Sequence, residues 1–318
     1  MNPIQIEINL TAAIVTLKAS SPLCLVTRDE NPDCARLPSG PFDAVAHRTF
    51  EAGLRSWVHE ITKLNLGYAE QLYTFGDRGR HAQPADQTAH VVSVGYLALT
   101  KPPEQAPAGS RFSNWYLFFP WEDWRNGRPT ILDQIIVPEL EKWASDAPEA
   151  TSGAGLSRLA RFKLAFGLDG LPWDEEKVLD RYELIYSAGL LTEALRDGRE
   201  EALGRAGELP TLGLAMQFDH RRILATAIGR LRAKLKYRPV IFDLIPEAFT
   251  LTDLQRMVEA IAGRHLHKQN FRRLVESTRL VEPTGETAAA TGGRPAQLYR
   301  FRREVLAERP APGLRFGA

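Results

Sequence analysis

Two stretches of this 318-residue chain carry side chains spaced for chemistry. In "KQNFRRLVEST" (268–278), helical spacing puts Phe271, Leu274 and Val275 on one side. Lys268, Gln269, Asn270, Arg272 and Arg273 are left on the other. Arginine and lysine bond guanine edges or phosphates, and asparagine and glutamine can pair bidentately with adenine. Further on, Arg294 stands between flexible Gly292-Gly293 and rigid Pro295, which suits a phosphate or a narrow minor groove. The same residues also describe a solvated basic helix that docks an acidic protein. The second stretch, "LRSWVHEITKLNL" (54–66), reads as an amphipathic helix with Arg55, His59 and Glu60 on its wetter sides. Phe50, Leu54, Trp57, Ile61 and Leu64 recur at helical steps and predict its buried stripe.

The elements that must position these residues are legible in outline. "IQIEINLTAAIVTL" alternates apolar and polar residues and predicts a strand. "SPLCLVTRDE" predicts a second, and the Pro/Gly loop "ARLPSGPFDA" feeds the helix above. "AEQLYTFGD" opens with a strand, and residues 91–99 are strongly β-prone. The aromatic-rich "NWYLFFPWEDW" reads as packing before ligand binding, and a helix follows over 131–144. "SDAPEATSGAG" has linker composition, and "WDEEKVLDRYELIYSAGLLTEALRD" predicts a helix broken near Gly189. In "DHRRILATAIGRLRAKLKY", Leu224, Ala227, Ile228, Leu231 and Leu235 form one face, with Arg221, Arg222, Arg230, Arg232, Lys234 and Lys236 expected in water.

From residue 237 on, the order is a short helix in "RPVIFDLIP", a helix opened by Thr250 three residues before Asp253, and the basic helix 268–278. Thr250 and Asp253 make a capping box, and Gly263 stops that second helix. Two β-type segments, "RLVEP" and "QLYRFR", close the unit. Three helices and a hairpin are the layout of a winged helix-turn-helix.

Bulk numbers narrow the function classes. The two cysteines, Cys24 and Cys34, are too few for a disulfide framework, no run is long enough to span a bilayer, and the N-terminus lacks a secretory pattern. The expectation is a cytoplasmic protein with no membrane partner. The net charge of +1 hides an asymmetry. Residues 220–318 carry 19 Lys and Arg against 9 Asp and Glu, and residues 1–219 carry 21 against 30. Either the basic part meets a polyanion or the two parts attract each other.

"QNFRRLVEST" with "LVEPTGE…GGRPAQLYRF", together with "AEQLYTFGDRGR", resembles the Nudix-related transcriptional regulators of NAD metabolism, the NrtR family. The resemblance implies an α+β chain: a Nudix-like α/β/α sandwich over 1–147, a helical linker region over 148–236 and a winged helix-turn-helix domain over 237–318. It implies a homodimer on a double-stranded DNA operator, with an ADP-ribose-like nucleotide as effector and no required cofactor.

Against the Nudix pattern, Gly40 takes the starting glycine, and Arg55 opens the helical half one residue late. Ser56 stands where the first helical glutamate belongs, Trp57 fills the hydrophobic slot, His59 replaces a glutamate and Glu60 alone survives. The earlier glutamate falls on Ala46 or His47, and the glycine after the helix is lost. Magnesium is a hard cation held by several carboxylate oxygens, so a catalytically silent pocket is expected, with no catalytic or metal residue. A diphosphate could still be held by Arg55 and by protonatable His59, beside Glu60, although for His59 a plain surface histidine is the favoured reading. Tyr73, Phe75, Asp77, Arg78 and Arg80 resemble the family's segment next to the pocket; the aromatics could stack on a base, though strand aromatics are more often core. An active magnesium-dependent pyrophosphohydrolase with a DNA-binding tail is the alternative.

Overall fold

A computed structural model describes residues 6–27, 34–76, 90–147, 155–205, 207–288, 295–308 and 312–314. Its centre is β1 (Ile6–Lys18), the longest strand among the described residues. Its side chains alternate between two cores: Leu10, Ala12 and Ile14 enter one, Ala13, Val15 and Leu17 the other. Of its polar positions Glu7 stays exposed and Asn9 half-buried, while Thr11 and Thr16 are buried, and Thr11 shares a 2.8 Å hydroxyl hydrogen bond with Ser93. Around β1 lie β2 (Ser21–Thr27), β3 (Cys34–Ala35), β4 (Ser39–Pro41), β5 (Ala69–Phe75), β6 (His90–Leu99) and β7 (Ser110–Asn114).

The main sheet runs β5-β6-β1-β2-β7. β1 pairs in parallel with β6 along one edge, while its other edge is shared: residues 9–11 pair with β4 and residues 15–18 with β2, both antiparallel. β7, in "SRFSN", is an edge strand beside β2 with little apolar alternation in its sequence.

α1 (Phe50–Thr62) covers one face. Thr49 caps it, its hydroxyl accepting from the Ala52 amide, and Lys63 ends it in the left-handed conformation at φ 57°. The buried line is Leu54, Val58 and Thr62, not the expected Leu54-Trp57-Ile61. Ile61 is 57% exposed, and Trp57 lies on the flank over Gly40, where an added Cβ would come within 2.1 Å of the indole. Gly40 thus accommodates Trp57 on the side of the helix, leaving Val58 to face the sheet.

The opposite face is covered by helices from the rest of the chain. They are α2 (Val137–Asp146, entered through a π turn at Leu132–Ile136), α3 (Arg158–Phe166), α4 (Val178–Ser187), α5 (Thr192–Arg196), α6 (Glu200–Leu203) and α7 (His220–Leu235). The break after α4 comes where expected, with Gly189 at φ +70° against the 201–202 backbone. The start does not: Trp173 precedes α4 and lies under the Arg181 guanidinium, 3.8 Å from its ring centroid. β8 (Ala215–Met216) pairs with β3.

α7 departs most from expectation. It packs against β1, β5 and β6, and Arg221, Arg232 and Lys234 are buried rather than wet. Arg221 binds Glu193 and the Phe118 carbonyl, and Arg232 binds Glu122. Partners distant in sequence, which local periodicity does not show, turn its polar side into an interior one.

The C-terminal unit follows the predicted order. A 3-10 turn (Val240–Asp243) leads to α8 (Leu251–Ala262), α9 (Lys268–Thr278) and the hairpin β9 (Val281–Thr287) and β10 (Gln297–Phe301), with α10 (Val305–Glu308) after it. No helix among the described residues is long and apolar enough to cross a membrane.

Candidate nucleic-acid interface and ligand cavity

The helix-turn-helix is built from sequence-local signals. Both halves of the α8 capping box form, and Gly263 ends the helix at φ +75°. The turn is fixed by Glu259, a residue that pattern reading missed. Its carboxylate accepts from the Leu266 amide at 2.8 Å and from the Gln255 side chain at 2.9 Å. Beyond the turn, α9 buries Phe271 and Val275 with Leu274 half-buried, as expected. Lys268, Gln269, Asn270, Arg272 and Arg273 are all exposed, and the three cations have no ion-pair partner among the described residues. The wing is tied back to the unit by paired backbone hydrogen bonds between Phe249 and Tyr299. Arg294, Asp77, Arg78 and Arg80 lie outside the described residues.

A second set of contacts seats this unit on the sheet domain. The C-terminal carbonyls of α8 have no intrahelical donors, so they need partners from elsewhere. Tyr116 donates its hydroxyl to the Ala260 carbonyl at 2.8 Å, Arg232 donates to Ile261 at 2.9 Å, and the Trp124 amide donates to Gly263 at 2.6 Å. Arg232 also meets Glu122, which Arg181 of α4 grips from the other side at 2.6 and 2.9 Å. Burial alone would lift the Glu122 carboxyl, but the two guanidinium groups outweigh it and hold the carboxyl below its ordinary value of 4.5. The aromatic run is therefore packing, as expected, with Trp115, Phe118, Phe119 and Trp121 fully buried. Its polar members also make it the seat of the helix-turn-helix.

The expected nucleotide residues that are described, Arg55, His59, Glu60, Tyr73 and Phe75, do not converge. All of Arg55's reach is used within the fold: Nε meets Glu51 at 2.9 Å, and its terminal nitrogens donate to the carbonyls of Leu66 and Gly67. It holds the loop after α1 rather than facing a ligand. Ser56 donates to Glu60 at 3.0 Å, and His59 and Glu60 point outward. Tyr73, 54% exposed, borders a different recess on the α7 face, with Asp180 and Arg230. Phe75 must be corrected: it is core, 4% exposed, under Gly95. A register shift between Gln71 and Thr74 places Leu72 and Phe75 on the core side, where strict alternation would have kept Phe75 with Tyr73.

The α1 face instead holds a cavity of about 570 Å³ at the N-terminus of that helix, lined by Phe42, Arg48, Phe50, Glu51, Gln71 and Tyr96, with Thr49 at its edge. Phe42 and Phe50 meet edge to face with centroids 4.6 Å apart. Three aromatic rings, an amide side chain, an exposed arginine and a helix N-terminus are groups that suit a base and a phosphate. None of the expected nucleotide residues among the described ones lines it. The available signal was "PFDAVAHRTF", an aromatic and basic segment just ahead of a helix cap. The donors on α1 do not fit a divalent cation, for which its outer side offers Ser56, His59 and Glu60. Among the described residues no group of three or more His, Cys, Asp or Glu could hold a metal.

Comparison with known proteins bears on both regions. Residues 241–301 match the family model for the NrtR DNA-binding winged helix domain. A curated relative, the ADPR responsive transcriptional repressor NtrR of Acinetobacter baylyi, is 44% identical over 90 residues. That segment is 28% of this chain and 36% of the relative, so the match spans about a third of that protein. The crystal structure of Shewanella oneidensis NrtR complexed with a 27mer DNA aligns over 94% of this chain and 95% of its own, with TM-score 0.53 and 19% identity. A MutT/nudix family protein from Enterococcus faecalis aligns over 95% of this chain and 88% of its own, with TM-score 0.50 and 14% identity. The fold is a Nudix-like sheet domain followed by a winged helix, as the resemblance implied.

Proposed function

We propose, from a C-terminal domain of the NrtR type, that this protein is a DNA-binding transcriptional regulator whose Nudix-like domain reads an ADP-ribose-like nucleotide. The observation that carries this reading is the outward row Lys268, Gln269, Asn270, Arg272 and Arg273, presented by a helix whose turn is locked to the rest of the chain. A helix that packs on one side and offers amides and guanidinium groups near its N-terminal half suits entry into a major groove. Arg294 belongs to the same proposal as a contact from the wing.

The cavity at the start of α1 is the effector site in this reading, with Arg48 for a phosphate and Phe42, Phe50 and Tyr96 for a base. The sheet domain binds without hydrolysing, because α1 carries only Glu51, held by Arg55, and Glu60 on its outer side, where a magnesium cage needs several carboxylates together. The protein acts as a homodimer on a palindromic operator controlling NAD metabolism, in the cytoplasm. Two-fold protein symmetry matches two half-sites one helical turn apart.

The test is genomic DNA capture followed by operator titration with and without ADP-ribose. The expected result is tight, sequence-preferring binding that the nucleotide shifts by roughly 5–150-fold, the range of ordinary allosteric coupling. Binding to random DNA as tight as to captured DNA would remove the regulator reading. Equal operator affinity in both arms would remove the effector.

A further inference from the structure

Between the sheet domain and the wing lies a cavity of about 730 Å³ that the proposed function does not use. Four parts of the chain line it, one of them residues 239–249. Tyr68 and Lys101 come from the sheet domain, Lys234 and Arg238 from the end of α7, and Arg300, Phe301 and Arg303 from β10 and the residues after it. Its floor is aromatic: Phe242 stacks on Phe301 with centroids 4.3 Å apart, and Phe249 lies 5.8 Å from Phe242. Ligand sites favour such volumes, such mixed linings and positions where domains meet.

The charges around this cavity are unequal. Lys101, Lys234, Arg238, Arg300 and Arg303 face Asp243 and Glu247. Lys101 is paired with Glu247 at 3.4 Å, Lys234 with Glu70 at 3.2 Å and Arg300 with Glu282 at 2.8 Å. Arg238 and Arg303 are exposed and have no ion-pair partner among the described residues. Partial desolvation raises the Asp243 carboxyl above its usual range, against the pull of the Tyr68 amide, Lys101 and Arg303. The recess thus has two available guanidinium groups above an aromatic floor, and its one unpaired acid is the easier to neutralise.

We infer that this cavity is a second small-molecule site, distinct from the one at α1, for an aromatic phosphate ester. The phosphate sits between Arg238 and Arg303, and the ring packs against Phe242, Phe249 and Phe301. Arginine forks match phosphate geometry, and ring stacking rewards a flat ligand body. A ligand there touches the sheet domain, α7 and the wing strand together, so its binding links the wing to the rest of the chain. A recess of this size takes a compact anion and excludes the rod of a duplex.

The probe is naphthyl phosphate, titrated by its fluorescence into the full chain. Saturable one-to-one binding is expected, and it persists in saturating ADP-ribose. The Arg238→Ala/Arg303→Ala double variant binds at least about tenfold more weakly, as does naphthol against the wild type. Arg303→Lys keeps part of the affinity, and Arg48→Ala leaves it unchanged. Both target arginines are exposed, so circular dichroism should show an intact fold. Unchanged binding in the double variant overturns the inference, as does competition by ADP-ribose or by random-sequence DNA. Retention of the probe with no effect of ADP-ribose on operator binding would support this site while removing the effector reading.

Discussion

α7 and α9 look alike as sequences, each an amphipathic helix with a dense basic side, and the fold uses them in opposite ways. In α7 the cations turn inward or sideways onto acids from the first two thirds of the chain. Arg221 meets Glu193, Arg222 meets Glu183, Arg232 meets Glu122, and Lys234 meets Glu70. Lys236, just after the helix, meets Glu175 and Glu176. In α9 Lys268, Arg272 and Arg273 face outward, with no ion-pair partner among the described residues. Where a basic helix puts its charges depends on whether the tertiary fold brings a carboxylate opposite. The surplus of positive charge after residue 220 thus has two explanations, divided by position. From Arg221 to Arg264 most of it pairs with acids of the first part of the chain, Arg238 and Arg256 apart, while Lys268, Arg272 and Arg273 on the outer side of α9 have no ion-pair partner among the described residues and are available to a polyanion.

The largest expected effect breaks the inward helix. Arg232→Ala removes a guanidinium from Glu122, Tyr116 and the end of α8 together. Breaking a buried pair leaves an under-compensated charge, and about 3–5 kcal/mol of stability should be lost in urea unfolding. Acid titration sharpens the point. Glu122 is held below its ordinary 4.5 in the fold, so the unfolded chain takes up the proton first as pH drops. Its contribution is complete above about 4.5 and fades as pH falls through the folded value. Glu122→Gln should flatten that acid limb; an identical limb would place the acid sensitivity elsewhere.

Next in size is Gly263→Ala, at the junction of the two helices' neighbourhoods. Gly263 sits at φ +75°, and an added Cβ would fall 2.4 Å from the Glu122 carbonyl and 2.8 Å from Arg232. Backbone strain and overpacking together should cost about 2–4 kcal/mol. Because the turn precedes α9, DNA affinity should fall in the folded fraction as well. A loss of stability with unchanged affinity would separate the seat from the reading helix.

For the outward helix the balance reverses. Arg272→Ala with Arg273→Ala should change stability by no more than about 0.5 kcal/mol per site, as for exposed positions. Operator affinity should drop on the order of 10- to 100-fold, and the salt slope should shrink by about one for each lost phosphate contact. A large stability loss in this variant would mean that α9, too, uses its arginines for packing.

Legibility followed the range of the interactions involved. The capping box at Thr250, the stop at Gly263 and the split faces of α9 depend on residues within one or two turns, and they were readable. The break at Gly189 was readable for the same reason. The long-range features were not. The pairing of Glu122 with Arg181 and Arg232 spans 59 and 110 positions, and no periodicity encodes it. Phe75 was misplaced by a register shift that only strand pairing reveals. The α1 cavity draws Phe42, Gln71 and Tyr96 from three separate elements, so its membership depended on knowing the sheet order.

The smallest predicted effect tests whether exposure or helix identity sets an arginine's role. Arg230 lies on α7 but keeps 37% of its side chain in water, 3.9 Å from Glu70. Exposed, screened pairs of this kind contribute about 0–1 kcal/mol, so Arg230→Ala should barely move the unfolding midpoint. It should also leave operator affinity at the wild-type value, since its nearest acid lies on β5 and not on the winged unit. If DNA binding weakened as much as in the α9 double variant, α7 would have to present a nucleic-acid face of its own. The division between an inward helix that joins and an outward helix that reads would then fail.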